Sequence, residues 1–161
     1  MHFEFDEATG IIKDKLTGER CIIITQARMA EIFSRLSEIF QSGAKVIIFE
    51  ASKAAGERFV KETSEMTKGS KELILNMTVQ RFTDAGLGKI EFVDFNLEEA
   101  AVKFRIWNNF FAEIRKEEST YCNCVEGFVS GRYEQIIGKA PKIQKTKCVV
   151  TGDLTANGTC R

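Results

Sequence analysis

The feature that most constrains this chain is a change of hydrophobic period at Gly86-Leu87-Gly88. Before it, Met29, Ile32, Phe33, Leu36, Ile39 and Phe40 recur at the spacing of one helical face, with Arg28, Glu31, Arg35 and Glu38 opposite. Ser42-Gly43 ends that helix, and a second is expected from about Ala44 to about Glu62. After a break at Thr67-Lys68-Gly69-Ser70, a third carries Leu75, Val79 and Phe82 on one side. Beyond the glycines the period is two. Ile90 and Phe92 alternate with Glu91 and Val93, then Ala100, Val102, Phe104 and Ile106 with Ala101, Lys103, Arg105 and Trp107, which predicts a β-hairpin with one buried face. Helical stripes followed by a half-buried hairpin require different layers, so the expected class is α+β: an antiparallel β-sheet with helices packed mainly on one face.

The flanks complete this outline. Phe3 and Phe5 alternate with Glu4 and Asp6, and Ala8-Thr9-Gly10 turns the chain into Ile11-Ile12, giving an N-terminal hairpin. Leu16-Thr17-Gly18-Glu19 is a second turn, and Cys21-Ile22-Ile23-Ile24 reads as a strand. The middle of the second helix, Ala51-Ser52-Lys53-Ala54-Ala55-Gly56, is made of residues small enough to admit another backbone or a ligand. A fourth helix, capped by Ser119 or Thr120, places Val125, Phe128, Val129, Tyr133 and Ile136 on one stripe and stops at Gly138. Gly127 and Gly131 within it favour close helix packing. A strand is expected from about Lys142 to Val150, then a loop from Thr151 through Gly158, with no length left for a strand starting at Cys160.

The 161 residues suit a single domain, 1–161. Lys plus Arg and Asp plus Glu are both 23, so the surface lacks the cationic excess that nucleic acid or an anionic membrane demands. No apolar run approaches a membrane span, and no basic-then-apolar leader opens the chain, so a cytoplasmic protein is expected. A lone histidine, His2, leaves no Ser-His-Asp triad or Cys-His pair. Gly86-Leu87-Gly88 lacks both the Gly-Lys-Ser/Thr ending of a phosphate-binding loop and the third glycine of a dinucleotide fingerprint, so neither nucleotide nor flavin is expected.

Cysteine is the chemical signal. Cys21 stands apart, whereas Cys122, Cys124, Cys148 and Cys160 cluster in the last quarter, a distribution that favours metal or reactive thiols over a disulfide framework in a reducing compartment. Small core hydrophobes are the alternative. Cys122 and Cys124 diverge by ~200° on a helix, so a regular helix presents one of them to a site shared with Cys148 and Cys160.

Several segments, in order, resemble the 4-vinyl reductase (hydrocarbon-binding) domain family, whose fold is related to haem-based nitric-oxide sensors and vesicle-tethering complex subunits. The likeness runs from about Glu19 onward: Gly18-Glu19-Arg20 before the isoleucine run; Phe49 to Gly56, with Ser52 and Gly56 at the two glycine positions; and Gly86-Leu87-Gly88. It continues through Ile106-Trp107-Asn108-Asn109-Phe110-Phe111, Cys122, Gly127-Phe128-Val129-Ser130-Gly131, Gly138-Lys139 and Cys148-x3-Gly152-Asp153. The resemblance implies a pocket between helices and sheet, with Phe104, Trp107, Phe110 and Phe128 as candidate lining, although each could simply fill the core. It also implies a structural zinc ion beside the pocket, held by Cys122, Cys148 and Cys160. Lys145 stands where aromatic-sensing members have a glutamate ligand, leaving Asp153, Cys124 or water as the fourth donor. The phenol-gripping histidine has no counterpart, which disfavours phenol itself. The implied function is a sensor or carrier of a small hydrophobic molecule, acting as a homodimer or through a signalling partner, with Trp107 at a candidate dimer face. Alternatives are an enzyme or accessory factor in vinyl tetrapyrrole reduction, for which the residues show no cofactor site, and a protein-interaction adapter.

Overall fold

In the computed structural model, the described residues are 2–96, 101–110, 120–141, 143–147 and 156–160. Three short strands open the chain: β1 (Phe3–Asp6), β2 (Ile11–Asp14) and β3 (Arg20–Cys21), paired antiparallel in that order. Two copies of one turn device shape this sheet. Asp6 Oδ1 accepts from Ala8 N at 2.9 Å, and Asp14 Oδ1 accepts from Leu16 N at 2.7 Å. Each aspartate is followed four residues later by a glycine at positive φ, Gly10 (67°) and Gly18 (72°), which closes the turn without steric penalty.

Four helices follow the expected order: α1 (Gln26–Phe40), α2 (Gly43–Thr67), α3 (Lys71–Asp84) and, after the hairpin, α4 (Thr120–Ile137). The hairpin is β4 (Lys89–Asn96) and β5 (Ala101–Trp107), with Ile90 opposite Ile106 and Phe92 opposite Phe104. It belongs to a four-stranded antiparallel sheet in the order β4-β5-β7-β6, with β6 at Ile143–Lys147 and β7 at Ala156–Cys160. The α+β class therefore stands.

Three sequence expectations are corrected. The isoleucine run is not a strand: β3 ends at Cys21. Cys21 pairs with Ile12, and β2 begins one residue away at Ile11, so a strand continued to Ile24 would outrun its partner. The last stretch is not all loop, because β7 occupies its final residues and completes the ladder between β5 and β6. The first helix does not bury its whole apolar face. Met29, Phe33 and Leu36 pack on the core, while Ile32, Ile39 and Phe40 face outward. The fourth-helix cap at Ser119 lies outside the described residues; Thr120 is the first helical residue.

The centre is the contact of α2 with α4. On α2 the buried residues Ala44, Ile48, Ser52, Gly56, Val60 and Thr63 form one stripe at helical spacing. On α4, Gly127 and Gly131 meet that stripe so closely that a Cβ on Gly127 would lie 2.3 Å from Phe49 O, and one on Gly131 2.1 Å from Lys53 O. Gly56 is the reciprocal element, its virtual Cβ 2.5 Å from Phe128 O. Small residues on both helices thus let backbone pack on backbone, as both small-residue runs foretold. Around this seam Ile48, Phe82, Ile90, Phe104, Ile106, Val125 and Val129 form the main core. Phe104 and Ile106 share the inner sheet face, as their alternation requires. Among the described residues, no helix is long and apolar enough to cross a membrane.

Candidate functional site

Between the N-terminal sheet and the helical body lies a cavity of about 780 Å³. The small sheet supplies Phe3, Phe5, Ile12 and Cys21, and the irregular segment after it supplies Ile22, Ile23 and Ile24. Met29 and Phe33 come from α1, Ala51, Ser52 and Ala55 from α2, and Cys124 and Phe128 from α4; Ala85, Leu87 and Phe110 complete the wall. The polar groups on this surface are few: Glu4, Ser52 and the thiols of Cys21 and Cys124.

Local chemistry explains the space. On α2 the stripe through Ser52 and Gly56 is spent on α4, and the neighbouring positions Ala51 and Ala55 carry only methyl groups toward the cavity. The β4–β5 hairpin is joined to the same region by Phe110 N donating to Leu87 O at 3.0 Å, and Gln26 Nε2 donates to Phe110 O, which fixes the start of α1. Ile22 and Ile23, each 81% exposed, and Phe5, 61% exposed, line the cavity and face solvent together. They form its mouth. Exposed apolar side chains gathered at the rim of an apolar hollow mark a place where something binds.

Ser52 Oγ donates to Cys124 Sγ at 3.2 Å inside this wall. Burial pushes the Cys124 thiol up to about 11, partly offset by the Ser52 hydrogen bond, so the group is a neutral thiol at physiological pH. That state suits a cavity lining.

Of the four aromatics singled out from the sequence, Phe110 and Phe128 line the cavity, while Phe104 and Trp107 are not among its lining residues. Phe104 is in the core beneath α4, and Trp107 is 37% exposed, with Arg105 over its ring at 5.4 Å and its Nε1 directed at Glu91 Oε2 at 3.4 Å. Sequence reasoning missed the contributions of Phe3, Ile12, Ile22, Ile23 and Ile24 to one surface, and for Ala51 and Ala55 it offered a ligand or another backbone as alternatives. The signal available for the alanines was their smallness beside the Ser52-Gly56 stripe.

The thiols proposed for metal are only partly described. Cys122 is half-buried near the start of α4, two residues from Cys124 and outside the cavity lining. Cys160 ends β7, its backbone opposite Val102 and Ile143. Cys148 lies outside the described residues, as does Asp153. Lys147, the neighbour of Cys148, pairs with Asn157, at the other end of the β6–β7 ladder from Cys160 and ~10 Å along β7 at ~3.3 Å per residue. One ion shared by Cys148 and Cys160 therefore requires the chain to turn back after Lys147. Among the described residues, no group of three or more His, Cys, Asp or Glu side chains could hold a metal ion.

The arrangement of sheet and helices recurs in solved structures. The phenol-responsive sensory domain of the transcription activator PoxR, with phenol, superposes with a TM-score of 0.81 over 99% of this chain and 84% of its own, at 16% identity. A vinyl-4-reductase family protein from Methanocaldococcus jannaschii gives a TM-score of 0.56 at 17% identity, covering 88% of this chain and 83% of that one. The fold is 4-vinyl-reductase-like. A trafficking protein particle complex subunit 3 from Naegleria fowleri, covalently bound to palmitic acid, shares it at a TM-score of 0.55 and 11% identity, over 84% of this chain and 93% of its own. No protein-family model matches the sequence, and no curated protein matches it significantly. The 4-vinyl-reductase-like fold is thus shared with proteins only 11–17% identical to this chain. His2, the only histidine, lies apart from the cavity wall, with Nε2 3.3 Å from Asp84 Oδ2.

Proposed function

We propose that this domain is a sensor or carrier that takes a small, largely apolar molecule into the cavity between its N-terminal sheet and α1, α2 and α4. The observation that carries the reading is the cavity itself: about 780 Å³, walled by aromatic and branched aliphatic side chains, with a few convergent polar groups. Ligand sites for drug-sized molecules have this volume and character. The phenol seated in the PoxR sensory domain and the palmitic acid on the trafficking subunit agree with it. A ligand burying about 300 Å² of apolar surface in the cavity gains roughly 7 kcal/mol, of which association consumes about 4, so affinities on the order of millimolar are expected from this contribution alone.

The test is to fill the hollow. Ala55→Phe places a ring where α2 now presents a methyl group, and it should weaken binding of apolar probes such as naphthalene or decanol at least about tenfold while leaving the ligand-free melting temperature near that of the parent. For the parent, ligand at a hundred times Kd should raise the melting temperature by roughly 5–10 °C. No shift with any member of an apolar panel would dismiss the reading, as would unchanged affinity in Ala55→Phe.

A structural zinc ion on Cys122, Cys148 and Cys160 is a separate proposal, supported by the family resemblance and by the half-buried position of Cys122. When bound, zinc would cross-link α4 to the terminal strands and add directly to folding stability. Metal analysis of freshly purified protein should give one zinc per chain, lost together with thermal stability in Cys148→Ser. Zinc well below one equivalent would end this proposal and leave the cavity reading untouched.

A further inference from the structure

Behind the cavity wall lies a cation that pairs with no acid among the described residues. Arg132 on α4 is 8% exposed, and no ion pair among the described residues involves it. Its guanidinium is held over the rings of Phe59, at 4.8 Å, and of Phe82 and Phe128, each at 5.8 Å. Ring faces stabilise the charge but accept none of the in-plane N–H groups that a guanidinium directs outward. Accordingly, Arg132 Nε is buried without a hydrogen-bond partner among the described residues. Burial, and next the positive charge of Arg81, draw the Arg132 pKa down to about 10, still cationic at neutral pH.

Arg81 repeats the pattern. Its Nη2 pairs with Asp14, but Nε and Nη1 are buried and unbonded among the described residues, and its guanidinium lies 5.8 Å from the Phe3 ring. Phe3 and Phe128 are both cavity-lining residues. Two rings of the apolar wall therefore each cover an arginine with spare donors. Phe128 is only half-buried, and it touches both the cavity and the Arg132 guanidinium.

We infer that Arg132, exposed by movement of Phe128, anchors an anionic end group, so that the favoured ligand is an apolar monocarboxylate and not a neutral hydrocarbon. This rests on the cavity reading and sharpens it. A carboxylate suits the site because its two oxygens match the planar fork of a guanidinium. In a purely apolar cavity the same charge would be rejected, since nothing would replace its hydration. The sign of the acid-versus-ester preference thus reports on the anchor.

The experiment compares decanoate with methyl decanoate at pH 8 by calorimetry, on the parent and on Arg132→Met. The parent should bind decanoate about tenfold or more tightly than the ester, and Arg132→Met should lose that advantage while still binding the ester. Equal binding, or a preference for the ester, on the parent overturns the anchor and leaves the apolar cavity standing; this arm holds even if the variant fails to fold. A preference for the acid that survives in Arg132→Met also overturns it. Binding of neither compound removes the cavity reading and the anchor together.

Discussion

Gly131→Ala should lower the stability of the protein by about 3 kcal/mol, a fall in melting temperature of roughly 6–12 °C for a chain of this length. The added Cβ would stand 2.1 Å from Lys53 O, 2.9 Å from Lys53 C and 3.0 Å from Glu57 N. All three are backbone atoms of α2, so no side-chain rotation relieves the contact. The helices must separate, and dispersion contacts along the whole seam weaken with them. Alanine's better helix propensity returns only about 1 kcal/mol. The effect should grade with the contact: Gly127→Ala, at 2.3 Å from Phe49 O, somewhat milder, and Gly56→Ala, at 2.5 Å from Phe128 O, milder again. Gly43→Ala is the control, since its nearest neighbour would be Phe40 Cβ at 4.0 Å, and it should be neutral or slightly stabilising. Thermal or urea melts of the four variants check this. A Gly131→Ala protein as stable as the Gly43→Ala protein would mean that the helices are not packed backbone to backbone.

The glycines were legible as a packing device because close approach is a local demand: it needs small residues at a spacing of four, Gly127 and Gly131 on α4 and Ser52 and Gly56 on α2. The sheet parity was legible for the same reason. Alternation alone separates Phe104 and Ile106 from Trp107, and the structure puts the first two inside and the third at the surface. The cavity was legible only through the family resemblance, which implied a pocket and named Phe110 and Phe128, and not through the residue pattern, because a hollow is a property of what fails to meet. Its wall takes residues from the chain start, from α1, α2 and α4, and from two turns, and nothing in the order of residues says which apolar faces remain unfilled. Ile22, Ile23 and Ile24 show the difficulty. Three consecutive β-branched residues fit a strand by propensity, yet the short partner leaves them outside the sheet, where they become the cavity rim. Arg132 was equally silent, since an arginine four residues after a phenylalanine on a helix is ordinary until burial strips it of water.

Asp14→Ala should be the most damaging single change in the N-terminal sheet, costing about 3–5 kcal/mol. Asp14 is 4% exposed and does two things at once. Its Oδ1 accepts from Leu16 N at 2.7 Å and Thr17 N at 3.3 Å, which holds the turn into β3. Its Oδ2 pairs with the Arg81 guanidinium, joining the sheet to α3. Removal leaves Arg81 buried, cationic and close enough to Arg132 for the two to repel. Asp6 serves as the internal comparison: it makes the same turn contacts, to Ala8 N at 2.9 Å and Thr9 N at 3.3 Å, but is exposed and faces no buried cation. Asp6→Ala should therefore cost much less than Asp14→Ala. Because the penalty arises from an uncompensated charge, Asp14→Ala combined with Arg81→Met should be more stable than Asp14→Ala alone, whereas a loss due only to the turn would be the same in both. Hydrogen exchange over residues 2–21 should rise in Asp14→Ala, since the sheet would be left with the exposed Glu19–Arg58 pair and the His2–Asp84 contact to hold it. Affinity for apolar probes should fall in step, because Phe3, Phe5 and Ile12 reach the cavity only while that sheet is docked. Unchanged exchange and unchanged binding in Asp14→Ala would show that the sheet is seated by its apolar contacts, with the ion pair incidental.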